Sequence, residues 1–158
     1  MPDEIDRNII AALMEDSRLS LKALARISGL SSPSVAERLR RLEEKGVLTG
    51  YTVNVDPRAF GYFLQAIVRI RPLPGQLHIV ERQIQAIPEF TECDKVTGED
   101  CFIARLNVRS MEQLDAILDT LSNQAETNTA IVKTTPVKRR LPPLCEPYHG
   151  ADRKIMNR

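Results

Sequence analysis

The chain has 158 residues, enough for one ordinary domain or two small ones. It is 42% apolar and 27% charged, the balance of a water-soluble globular protein, and no apolar run reaches the roughly 18 residues that a membrane span requires. The net charge of +1 removes any argument for nucleic-acid binding from bulk charge, so such a reading must rest on where the charges lie. Cys93, Cys101 and Cys145 are odd in number and fit neither metal nor redox spacing, and the N-terminus shows no signal-peptide pattern. A reduced, cytoplasmic protein with no membrane attachment is the expectation.

Residues 1–50 carry only helical signals. Ile5, Ile9, Ile10 and Leu13 recur at helical spacing and predict an amphipathic helix over 4–15. Ser20 is a suitable N-cap for a short helix over 21–28, with Leu21, Leu24, Ala25 and Ile27 inward and Gly29 as its stop. Ser31 caps a third helix, Pro33 sits in its first turn, and Val35, Leu39 and Leu42 form its buried stripe before Gly46. Residues 47–57 then alternate, with Val47, Tyr51, Val53 and Val55 on one side. They read as a linker or as a strand that pairs elsewhere.

From residue 63 the pattern alternates between strand and helix: strand 63–71, helix 76–87, strand 89–97, strand 101–109, helix 111–122 with a stripe of Met111, Leu114, Ile117, Leu118 and Leu121, and strand 129–138. The order βαβ–βαβ is the ferredoxin-like arrangement, in which two helices cover one face of a four-stranded sheet. The fold class is therefore α+β. A helix-turn-helix domain (1–49) is followed by a strand or linker (50–62), a ferredoxin-like domain (63–141) and a mobile tail (142–158). Ile67, Ile103 and Ile131 oppose apolar neighbours across their strands, so the uncovered sheet face is expected to pack on another copy of the chain. Arg69 and Arg105 on that face leave open that it stays wet.

Two short helices around Gly29, supported by a preceding helix, make a helix-turn-helix, whose second helix enters the DNA major groove. Ser31, Ser32 and Ser34 supply small polar groups at that helix start, and Arg38, Arg40 and Arg41 supply cations along it. Ser32, Ser34, Glu37 and Arg38 are placed nearest the bases, and Arg40, Arg41, Ser20 and Lys22 at phosphates. A plain three-helix bundle with a solvated charged face is the alternative. In it, Glu37–Arg41 and Arg40–Glu44 are helix-stabilising pairs.

At the hairpin tip Thr97-Gly98-Glu99-Asp100-Cys101, exposed turn N–H groups can receive a carboxylate, and Glu99 and Asp100 can accept an ammonium. On the residues alone an ordinary polar turn is the simpler account. Cys93 and Cys101, which flank this hairpin, are expected to be buried small hydrophobes. His78 is expected at the surface. No nucleophile–base pair, phosphate loop or metal-ligand set is present, so neither catalytic residues nor a cofactor is expected.

The run Ile5-Asp6 through Arg18, then Leu24-Ala25, Gly29-Leu30-Ser31, Arg38, Leu42-Glu43, Gly46-Val47-Leu48 and Gly50-Tyr51, followed by the βαββαβ unit, resembles the Lrp/AsnC (feast/famine) transcription regulators over residues 4–141. The resemblance implies double-stranded DNA and an amino acid or related small metabolite as partners. It also implies homo-oligomers joined through the C-terminal sheets (dimers, and tetramers or octamers built from them), and pairing of residues 50–56 with a dimer mate. It places the effector near Thr97, Gly98, Glu99, Asp100 and Cys101, with Ala130 and Ile131 as a second wall. The chain departs from the family's Gly-x-x-Asp tip, since Cys101 stands at the fourth position. Alternatives are an amino-acid-sensing regulatory subunit of a metabolic enzyme, or an architectural DNA-wrapping protein.

Overall fold

The computed structural model describes residues 1–144, which form two compact units, one spanning Met1–Val53 with residues from Arg139 onward and the other Asn54–Lys138. Most of the tail expected over 142–158, with Cys145 and His149, lies outside the described residues.

The first unit holds three helices, α1 (Glu4–Glu15), α2 (Leu21–Ser28) and α3 (Ser32–Glu44). Each starts at a polar cap: Asp3 accepts from the Asp6 N–H, Ser20 from Ala23 and Ser31 from Ser34. Asp3 and Asp6 bond each other's backbone reciprocally, so α1 opens on a capping box. Gly29 takes a left-handed conformation (φ 70°) that ends α2, and its lack of a Cβ makes the sharp turn into α3 unstrained. Ile9, Leu13, Leu24, Ala25 and Val35 form the core, with Leu39 partly buried against it. Leu21 and Ile27, expected inward, are exposed: only the Leu24–Ala25 side of this two-turn helix meets the other two helices.

Residues 51–56 make no strand within the chain, and Tyr51, Val53 and Val55 are exposed; a single 3-10 turn, Pro57–Phe60, follows.

The second unit is an antiparallel sheet of β1 (Leu64–Pro72), β2 (Phe90–Lys95), β3 (Phe102–Val108) and β4 (Ala125–Ile131), in the order β2-β3-β1-β4. Between these run α4 (Leu77–Ala86) and α5 (Met111–Asp119). Ala66, Val68 and Ile70 of β1 and Phe102, Ala104, Leu106 and Val108 of β3 lie on one face, and Val80, Ile84, Leu114, Ile117 and Leu121 join them in the core. Met111, at the start of α5, is exposed because it precedes the part of the helix that reaches the sheet.

Two expectations are corrected here. The last strand spans Ala125–Ile131 instead of 129–138: Gln124 and Ala125 donate directly to Leu121 O and the chain enters the sheet at once, with Ala125 opposite Pro72, and its pairing with β1 ends at Ile131 opposite Ala66. The uncovered face is not broadly apolar. Around Ile67 and Ile103 it carries Arg105, whose guanidinium donates to Gln65 Oε1 at 3.0 Å, and a Gln65–Asn107–Thr91 chain of bonds at 3.3 and 3.1 Å.

Candidate nucleic-acid interface and effector cleft

α3 presents Ser34, Glu37 and Arg40 to solvent, with Ser32 half-buried. The Ser31 and Ser34 hydroxyls are bonded to each other at 2.8 Å, so both are oriented at the helix start. Arg40 is bracketed by carboxylates: its Nη2 donates to Glu37 at 2.7 Å, and it pairs with Glu44 one turn on. The Arg40 guanidinium bonded to Glu37 holds that carboxyl below its usual range.

Arg38, expected at the bases, is engaged by carboxylates of its own unit. Its Nη1 donates at 2.7 Å to Asp3 Oδ2 and at 2.7 Å to Asp6 Oδ1, tying α3 to the start of α1. Arg41 also pairs with Asp6, at 3.3 Å, and not with Glu37. The reason is burial: Asp6 is 3% exposed, and a carboxylate in that position requires cations. Local helical spacing could not show this, since the partners lie 32 and 35 residues apart.

Ser20 caps α2, and Lys22 is exposed beside it. Arg26, also exposed and in the last turn of α2, belongs with Lys22: neither has an ion-pair partner among the described residues. Its signal was its place in the first motif helix.

The Arg38 bond, above all, holds the Asp3 carboxyl below the usual aspartate range. The folded state therefore binds fewer protons than the unfolded chain across that window. Asp3 contributes stability above its ordinary value of about 3.9, and the contribution is lost as pH falls through the lowered value. Thermal melts between about pH 5 and about pH 2 should show a smaller acid-induced fall for Asp3→Asn than for the wild type.

In the second unit, the hairpin tip brings Glu99 to Arg71 (2.6 Å) and Asp100 to Arg69 (3.9 Å). Arg69 also donates to Asn128 at 3.2 Å, and Arg71 lies 3.9 Å from Glu126. These side chains and Thr127 line an open polar cleft of about 390 Å³. Of the expected effector residues, Glu99 and Asp100 line it, and Thr97, Gly98 and Cys101 do not. Gly98 has φ 120°, which favours glycine at the turn. Ala130 and Ile131 lie farther along β4, opposite Ile67 and Ala66, outside the cleft. The strand register alone brings Arg69, Arg71, Glu126, Thr127 and Asn128 to the tip, so the local sequence did not signal them as cleft residues.

Cys93 is exposed and Cys101 half-buried, against the expectation of burial, because β2 is an edge strand and Cys101 lies at the hairpin. Partial burial nonetheless raises the Cys93 thiol's pKa, with Asp94 and Glu81 adding to the effect, which disfavours a reactive thiolate. His78 is exposed at the start of α4.

The winged helix-turn-helix DNA-binding family model matches residues 2–49, and the Lrp/AsnC ligand binding domain model matches residues 65–142. The chain is 35% identical to the HTH-type transcriptional regulator LrpC of Bacillus subtilis, over 82% of its own length and 90% of that protein. The chain belongs to the Lrp/AsnC family. It is a helix-turn-helix transcriptional regulator with a ligand-binding domain, and not an enzyme. The structure of B. subtilis LrpC superposes with a TM-score of 0.83 at 32% identity, covering 88% of this chain and 99% of that one. The feast or famine regulatory protein of Mycobacterium tuberculosis, solved in complex with L-methionine, superposes at 0.82 with 34% identity, covering 89% and 97%. No helix among the described residues is long and apolar enough to cross a membrane.

Proposed function

We propose that this Lrp/AsnC regulator binds DNA sequence-specifically, in the cytoplasm, under the control of a free amino acid. The start of α3 meets the base edges through Ser32, Ser34 and Glu37, with Ser31 orienting Ser34. Arg40, Ser20, Lys22 and Arg26 meet phosphates. Two protomers joined through residues 50–56 and the uncovered sheet faces would present two such helices to a pseudo-palindromic site. Ligand at the hairpin would bias that assembly, a coupling that is reciprocal by linkage.

One observation carries the effector reading. The cleft sets two guanidiniums, which suit an α-carboxylate, beside Glu99, Asp100 and Glu126, which suit an ammonium, as a zwitterion requires. The L-methionine complex of the M. tuberculosis relative makes that amino acid the first ligand to try.

Thermal melts with each of the twenty amino acids test it. At least one should raise the melting temperature with concentration, by the equivalent of about 2.7 kcal/mol at a hundredfold excess over Kd, and Asp100→Ala should lose the effect. No shift at millimolar concentration would refute the reading.

A further inference from the structure

Asp6 is the one charged residue among those described that is buried, 3% exposed. Two guanidiniums converge on it, Arg38 at 2.7 Å and Arg41 at 3.3 Å, while its Oδ2 also accepts the Asp3 N–H at 3.2 Å. Both arginines come from α3, which carries a third, Arg40, bracketed by Glu37 and Glu44. Every arginine of the helix is thus matched by a carboxylate of its own unit. The exposed cations of α2, Lys22 and Arg26, have no such partner among the described residues.

We propose that Asp6 is a specificity-determining positioning residue: by drawing Arg38 and Arg41 onto α1 it withholds two cations of α3 from the DNA backbone. The proposal rests on α3 being the recognition helix. Contacts to phosphate carry no sequence information and supply the non-specific affinity. The useful quantity for a regulator is the ratio of specific to non-specific binding. A helix with three unpaired arginines would bind any duplex tightly. With Arg38 and Arg41 held on a buried carboxylate, α3 retains its serine-lined start for reading bases, and of its arginines only Arg40 is left to meet phosphate. Arg41, 43% exposed, is close enough to solvent to swing outward when Asp6 is replaced by a neutral residue.

The test is the salt dependence of binding, from about 50 to about 200 mM, for a random-sequence duplex and for a duplex selected from random pools by the wild-type protein. Asp6→Asn should steepen the slope on random DNA by about one for each arginine released per bound protomer. Its selected-to-random affinity ratio should fall about threefold or more. A merely structural role would lower both affinities without steepening the slope, and that result in a protein with wild-type circular dichroism would overturn the proposal. Should Asp6→Asn not fold, Arg38→Gln and Arg41→Gln decide: wild-type slopes support the proposal, and slopes shallower by about one overturn it, since the arginine would then already be on phosphate. These outcomes leave the DNA-binding reading intact, whereas a wild type that binds neither duplex removes that reading and the proposal with it.

Discussion

Replacing Lys22 and Arg26 together with alanine should weaken binding to selected and random DNA alike, by about tenfold or more at physiological salt, and flatten the salt slope by about two per bound protomer. Both side chains are exposed on α2 and without ion-pair partners among the described residues, so no internal pair has to break before they meet phosphate. They lie outside the core of Ile9, Leu24 and Val35, so the melting temperature should hold. Fluorescence anisotropy titrations at several salt concentrations check the expectation. A loss confined to the selected duplex would mean that these residues read bases.

The second large effect concerns the other unit. Leu106 is fully buried on β3, which is paired on both edges, with β2 and with β1. Leu106→Ala should cost about 2–5 kcal/mol, since the flanking strands cannot close the space that the side chain leaves. For a unit of this size each kcal/mol lowers the melting temperature by about 4–8 °C, so the variant should melt at least about 8 °C below the wild type. Hydrogen exchange should show protection lost across Asn54–Lys138 and kept in α1, α2 and α3. Uniform loss in both units would show that they unfold as one.

How much of this was readable beforehand follows from the range of the interactions involved. Ser20, Ser31, Ser110 and Gly29 act within four residues of themselves, and the helix ends they set were legible to within a residue, whereas the uncapped end of α5 falls at Asp119 instead of 122. The inward alternation of Ala66, Val68 and Ile70 was equally plain, because a strand's period is local. The start of β4 was not. Its sequence, Ala-Glu-Thr-Asn-Thr-Ala-Ile, opens polar, and it is a strand because β1 offers it a pairing edge. Arg38 conceals its ion pairs for the same reason. Its sequence neighbours suggest a basic flank on a recognition helix, and its actual partners sit at the far end of the domain in sequence. In the polar cleft at the hairpin, Glu99 and Asp100 were legible as turn carboxylates, but the arginines facing them required the register of two strands.

The row of side-chain bonds from Arg105 through Gln65 and Asn107 to Thr91 bears on how a regulator of this kind can signal. Groups that satisfy one another laterally lose little when water arrives, so a sheet surface built this way is tolerable bare as well as covered. If the proposed dimer forms across this face, its partners would leave behind a surface whose polar groups are already satisfied, and a modest ligand contribution would suffice to shift its association.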